Sequence, residues 1–192
     1  MKLDTTELTK KRLNQLYNKL KSPSLLKSQG LANELGFYIF DYPPQDELIV
    51  RDHLKVLREQ LLAIEVKVKL VDLFELAISI LRKRNLLNQA EKFQIEKGDD
   101  YLQKALKSIF NEESFANSFL EFADIEQHEL IIVSGVGNVF PLVRSHTLLS
   151  NLHARMKDTP LILFYPGKYD GEVLKLFDML ESKGYYRAFQ MT

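Results

Sequence analysis

The sequence predicts an α/β fold: a mostly parallel, doubly wound sheet of about five strands, Rossmann-like or P-loop-like without the phosphate loop, with a basic N-terminal helix and a helical insertion. Three observations carry this. Short apolar runs alternate with helix-length amphipathic stretches, the order expected of β-α-β units. Two of the runs, Leu130-Ile131-Ile132-Val133 and Leu161-Ile162-Leu163-Phe164-Tyr165, are apolar without a break, as strands covered on both faces are. The 192 residues, 45% of them hydrophobic, also suffice for one core, so residues 1–192 read as a single domain.

The elements follow in order. Leu13, Leu16, Tyr17 and Leu20 recur at helical spacing, and Asp4 and Glu7 have the separation of a helix-start signal, so residues 1–24 read as a helix that Pro23 stops. Phe37 to Tyr42 is aromatic and β-branched and is closed by Pro43-Pro44, a strand ending in a turn. Val50, Leu54, Leu57, Leu61 and Ile64 form the stripe of an amphipathic helix. Val66 to Val71 alternates with lysines, which suits an edge strand. Asp72 and Glu75 then start a helix whose apolar face is Leu73, Leu76, Ala77, Ile80 and Leu81.

Residues 85–128 carry only helical signals and read as an insertion, with stripes Leu102, Ala105, Leu106, Ile109 and Phe115, Phe119, Phe122 and an aspartate near residue 99 as a cap. Leu130 to Val133 is the mid-sheet candidate. A helix from about Pro141 to Met156 follows, then the strand Leu161–Tyr165, a turn at Pro166-Gly167, a last helix through Val173, Leu174, Phe177 and Leu180 ended by Gly184, and a final strand over Tyr185–Phe189.

Composition closes several function classes. With no cysteine there is no disulfide framework, thiolate metal site or thiol nucleophile. The 26 Lys and Arg balance the 26 Asp and Glu, which argues against free-standing DNA binding, where several phosphates must be neutralised. That neutrality hides two poles. Residues 1–30 carry seven cations against two acids, and residues 111–129 carry six acids and no Lys or Arg. No apolar run approaches the roughly 18 residues of a membrane span and no signal core opens the chain, so a cytoplasmic location is expected.

Ligands of a parallel sheet sit beyond the carboxyl ends of its strands, which places Asp41 to Pro44, Asp72, Ser134 to Asn138 and Tyr165 to Asp170 on one rim. The phosphate-binding motifs fail there. Tyr169 follows Gly167-Lys168 where Ser or Thr is required, and Phe140 replaces the third glycine after Gly135 and Gly137. There is no G-x-S-x-G, and the four histidines have no metal-ligand spacing. No catalytic residue, metal or cofactor is therefore predicted.

The segment from Gly135 to His146 admits two readings. As a site it offers a helix N-terminus and Arg144 to an anion or acidic peptide. As structure it is a tight turn allowed by Gly135 and Gly137 with Pro141 behind it, Arg144 pairing a local carboxylate and His146 bonding a backbone carbonyl. The Tyr165-Pro166-Gly167-Lys168-Tyr169 and Tyr185-Tyr186-Arg187 clusters are either interface anchors or strand-end packing.

Gly135 to Leu149, Pro160 to Tyr169 and Tyr185 to Phe189, in that order and behind a Phe37-Tyr38-Ile39-Phe40-Asp41-Tyr42-Pro43-Pro44 opening, resemble the BrxB family of the bacterial BREX phage-defence system. The likeness runs from about Leu25 to Gln190 and is weakest across 85–128. It implies a non-catalytic component of a multi-protein system that methylates host DNA and blocks phage replication. The implied partners are other BREX proteins: the phosphatase-superfamily protein PglZ first, then the PglX methyltransferase and the BREX ATPase, with DNA touched only indirectly. The family supplies no catalytic residues.

Two expectations stand. In the leading one the chain is a binding module that docks through Tyr42, Arg144, His146, Tyr169 and Arg187 or through the basic N-terminal helix, while Gly135, Gly137, Pro141, Pro166 and Gly167 shape the fold. In the alternative it is a degenerate nucleotide- or nucleic-acid-binding enzyme with Asp41, Asp72 and Asp170 as metal carboxylates. Convergence of those three aspartates would favour the enzyme.

Overall fold

The computed structural model describes residues 5–21, 36–153, 155–156, 158–182 and 188–191. Its elements are α1 (Thr5–Leu20), β1 (Phe37–Tyr42), a 3-10 turn (Pro44–Asp46), α2 (Glu47–Leu62), β2 (Val68–Asp72), α3 (Leu73–Lys83), α4 (Leu87–Lys97), α5 (Asp99–Ile109), α6 (Glu112–Ala123), β3 (Leu130–Ser134), α7 (Val136–Val139), α8 (Ser145–His153), β4 (Leu161–Tyr169), β5 (Leu174–Leu176), β6 (Leu180–Ser182) and β7 (Phe189–Gln190).

Strand alternation divides the core into two layers. The odd residues Phe37, Ile39, Ile131, Val133, Leu161, Leu163 and Tyr165 face α3, α6, α7 and α8. The even residues Phe40, Tyr42, Leu130, Ile132, Ile162 and Phe164 face α1 and α2. This is the period-two pattern of a sheet buried on both sides. The sheet is open, mostly parallel and seven-stranded: five strands in the order β2-β3-β4-β1-β7 are parallel throughout, as expected, and β5 and β6 add antiparallel pairs beside β4. From β1 the chain crosses under α2 to the far edge, then steps back through β2, β3 and β4 along the other face. The reversal of direction with the change of face keeps the crossovers right-handed.

Local signals act as expected at several places. β2 is the edge strand, and Asp72 caps α3 by accepting from the Phe74 and Glu75 amides at 2.8 and 3.1 Å. The basic helix α1 is part of the core: Leu13, Leu16 and Leu20 are buried against α2. Thr6 and Thr9 donate to the buried Asp46 carboxylate at 2.8 and 2.7 Å and fix α1 on the start of α2. The insertion is helical, and of its three helices only α6 buries residues completely; α4 and α5 bury none.

Five local expectations are corrected. β4, not β3, occupies the middle of the five strands. Pro166-Gly167 does not turn the chain: β4 runs through both to Tyr169. Pro166 has no amide to donate, but its carbonyl accepts from Phe177 N at 2.9 Å, so the extended strand still gains a partner. The last helix is instead the β5–β6 hairpin, because β4's extension offers Gly167 to Tyr169 as an antiparallel template and Leu174 and Leu176, both buried, fit the period of two of a strand. The helix expected from about Pro141 to Met156 is shorter, α8 running only from Ser145 to His153; ahead of it the Leu142 and Val143 amides bond back to the Val139 carbonyl in a turn, and the short α7 lies wholly before Pro141. Gly98 stands at the cap of α5, and Asp99 lies inside its first turn. The expected strand over Tyr185–Phe189 lies outside the described residues except for Ala188 and Phe189, and Phe189 opens β7.

Candidate functional site

The carboxyl ends of the strands form one continuous edge. Asp41 lies opposite Tyr165 and Tyr42 opposite Pro166, and Asp72 lies opposite Ser134. Gly135 follows β3 in the left-handed region, and a Cβ there would stand 2.7 Å from the Asp72 carboxylate, so both backbone and space require glycine. Above Gly137 sits the Phe177 ring, 2.7 Å from where a Cβ would be, delivered by the turn of the β5–β6 hairpin. At Gly167 a Cβ would lie 2.0 Å from the Lys175 carbonyl, so glycine is what lets β5 approach β4. The three glycines are thus close-packing positions. Where a phosphate cradle would hold its ligand, an aromatic ring is packed.

The three rim aspartates are engaged separately. Asp41, 8% exposed, pairs with Arg12 at 2.9 Å, accepts from the Tyr169 amide at 3.2 Å and meets Gln190 Nε2 at 3.3 Å. Arg12 also donates to the carbonyls of Asp41 and Met191, at 2.7 and 3.2 Å, and its guanidinium lies 4.6 Å over the Phe40 ring. Asp72 caps α3. Asp170 accepts from the Val173 and Glu172 amides, which hold its carboxyl below the usual range. Among the described residues no group of three or more His, Asp or Glu side chains is placed to hold a metal ion, and no helix is long and apolar enough to cross a membrane.

Two of the expected docking residues prove to be interior. Tyr42 is 2% exposed and donates to Glu47 Oε2 at 2.6 Å; burial, then Glu47, raises its pKa. Tyr169 is buried, with its hydroxyl donating to the Ala188 and Gly171 carbonyls at 2.7 and 2.9 Å and its pKa raised chiefly by burial. Tyr165 is likewise buried and pushed up to about 12 by desolvation. Arg187 lies outside the described residues.

Arg144 and His146 remain at the surface. Arg144 is exposed on the segment between α7 and α8 and lines two clefts. The first, about 270 Å³, opens between that segment and the junction of α5 with α6. The second, about 550 Å³, opens between that segment and the β5–β6 hairpin. The local carboxylate expected for Arg144 is absent: among the described residues its guanidinium has neither an ion pair nor a hydrogen bond. His146, half-buried, bonds a side chain where a backbone carbonyl was expected; Ser182 Oγ lies 2.8 Å from its Nδ1. Desolvation and then Arg144 lower its pKa against an opposing effect of Glu112, which favours a neutral ring. A serine beside a histidine is two-thirds of a nucleophilic triad, but among the described residues no carboxylate hydrogen-bonds this ring to orient it.

The family model described as BREX protein BrxB matches residues 69–191. BREX protein BrxB of Bacillus cereus (strain H3081.97) is 35% identical over 183 residues, 94% of this chain and 95% of that relative. BREX protein BrxB of Escherichia coli O9:H4 (strain HS) is 37% identical over 180 residues, 94% of this chain and 90% of that relative. The chain belongs to the BrxB family. As a BrxB-family member it is a component of the BREX antiviral-defence system. No solved structure matches it. The matched span contains the Arg144 segment and both clefts, whereas α1, β1 and α2 precede it.

Sequence reasoning did not single out Arg12, Gln190, Phe177, Lys107 or Ser182. Arg12 had a usable signal, since it precedes Leu13 on the buried stripe of α1 and so stands at the margin of the core. Gln190 meets Asp41 across 149 positions, and no local pattern announces such a pair.

Proposed function

We propose that this chain is a non-catalytic, protein-binding component of the BREX system. It docks in the cytoplasm through the surface around Arg144 and His146 onto another BREX subunit, PglZ before the PglX methyltransferase or the ATPase. Through that contact it supports host DNA methylation and phage restriction, and it touches DNA only indirectly. The glycines of the rim and the prolines Pro141 and Pro166 serve the fold.

The observation that supports a macromolecular partner is the contrast along one edge. The positions where an α/β enzyme holds its substrate are filled by Phe177 and by the Asp41 network, while an exposed cation without an ion pair among the described residues stands between two clefts. The enzyme alternative required Asp41, Asp72 and Asp170 to share one site, and each carboxylate instead serves its own local bonds.

Tagged full-length chain, expressed with its BREX neighbours, tests this by co-purification of wild type against Arg144→Glu. Wild type is expected to retain the PglZ-type subunit and the variant to lose about nine-tenths of it, the tenfold effect of removing one interfacial charge contact. Retention of no BREX subunit by the wild type, together with hydrolysis of nucleotide or DNA, would overturn the proposal.

A further inference from the structure

The two clefts beside Arg144 share their central wall, since Val143 and Arg144 line both. In the first, Phe110, Phe115 and Leu148 form an apolar floor and Lys107 stands at the lip. In the second, Val136, Phe140 and Leu176 form the floor, and Met179 and Leu180, 73% and 40% exposed, form the lip. The surface therefore reads apolar, cationic, apolar across a single ridge. Its charge is uneven in the same sense. Glu181 is held by Lys175 at 3.3 Å, which leaves Lys107 and Arg144 against Glu112.

A third cleft, between β2, α3 and α6, makes the contrast. There Lys83 pairs with Glu121, Arg84 donates to Ser114 Oγ at 2.7 Å, and the Lys69 ammonium lies 4.8 Å over the Phe122 ring. Its cations are spent within the molecule, and that of Arg144 is not.

We propose that the two clefts form one bipartite groove for a partner segment in which a single carboxylate is flanked on both sides by apolar residues. The guanidinium fork of Arg144 takes the carboxylate in a bidentate pair, and the flanking side chains enter the two clefts. An exposed ion pair by itself contributes little, so affinity comes from the apolar anchors and Arg144 sets register and selectivity. With Glu112 set against Lys107 and Arg144, and the His146 pKa lowered, the lining carries one net positive charge, which fits one carboxylate better than a phosphate dianion. This inference rests on the protein-binding reading above and adds the chemistry of the bound segment.

The test is fluorescence anisotropy with three labelled nonapeptides, identical except for a central Asp, Asn or Lys between leucine and phenylalanine pairs, titrated with the full-length chain. The Asp peptide is expected to bind about tenfold tighter than the Lys peptide. Arg144→Glu should reverse that order, and Met179→Asp, on the exposed lip, should weaken the Asp peptide without reversing it. Equal binding of the three peptides, an unchanged order in Arg144→Glu, or tighter binding of a single-stranded oligonucleotide would overturn the groove. If the peptides fail this way while Arg144→Glu still loses its co-purifying subunit, the groove chemistry is wrong and the docking reading stands. Failure of both removes both.

Discussion

Asp41 and Arg144 both lie at the carboxyl edge of the same sheet, and they have opposite fates. Asp41 is buried and meets Arg12 from α1, the Tyr169 amide from β4 and Gln190 from β7, so three elements distant in sequence are tied at one carboxylate. Arg144 is exposed and, among the described residues, has no such partners. The first arrangement satisfies a buried charge and fixes the fold around it. The second leaves a charge available. A charged residue on the rim of an α/β sheet thus carries no role by position alone; its partners assign it.

The most severe way to break the Asp41 side is to remove α1. Deletion of residues 1–21 strips Leu13, Leu16 and Leu20 from the core, each worth about 2 kcal/mol of burial, against a total stability of about 5–15 kcal/mol for a domain. It also leaves Asp41 without Arg12. The truncated chain is expected to lose its cooperative thermal transition in circular dichroism. A folded truncation with an unchanged melting temperature would return α1 to the status of a detachable basic arm.

Asp41→Ala is the next largest break. It leaves the Arg12 guanidinium, with 21% of its side chain exposed, without its counter-ion, and it orphans the Tyr169 amide, for an expected loss of about 3 kcal/mol in urea unfolding. Asp41→Asn keeps an acceptor and should cost less. Equal losses in the two variants would mean that the charge of Asp41, and not its capacity to accept hydrogen bonds, is what the network uses.

The comparison also shows what was legible beforehand. Strands β1 to β4, the edge position of β2, the Asp72 cap and the helical insertion were readable because each is written in local periodicity or in a capping residue. The β5–β6 hairpin was not. Val173, Leu174, Phe177 and Leu180 satisfy a helical stripe, and only the antiparallel template supplied by β4 beyond Pro166 decides for strand. The same limit applies to the site. Tyr42 and Tyr169 look like interface anchors in sequence, and what removes them is burial against Glu47 and Ala188, which is a tertiary fact. Arg144 and His146, which stay at the surface, were singled out through their place after a glycine-bearing strand end. Their neighbours Lys107 and Ser182 come from elements too far along the chain to be associated with them.

A smaller, pH-dependent effect separates the interior from the surface further. His53, on α2, has a buried Nε2 with no partner among the described residues, and desolvation lowers its pKa, as it does for His146. With both folded pKa values below the ordinary 6.5, the unfolded chain takes up protons first as the pH falls. Stability from these groups is therefore complete above about 6.5 and declines below it, through the folded values. His53→Gln should flatten the acid limb of a melting-temperature profile. A profile identical to wild type would show that His53 does not contribute to it.

The smallest expected effect is the sharpest test of the comparison. Arg144→Ala removes an exposed side chain that has no ion pair or hydrogen bond among the described residues, so its unfolding free energy should stay within about 0.5 kcal/mol of wild type. In urea titrations it should overlay wild type in both midpoint and slope, in contrast with Asp41→Ala. Removing Arg144 also takes away one of the influences that lower the pKa of His146, so the histidine should titrate at higher pH in an NMR titration of its ring protons. Destabilisation by Arg144→Ala on the scale of Asp41→Ala would place Arg144 in the fold's own network. The ridge between the two clefts would then be structural, and the docking surface would have to be sought elsewhere on the rim.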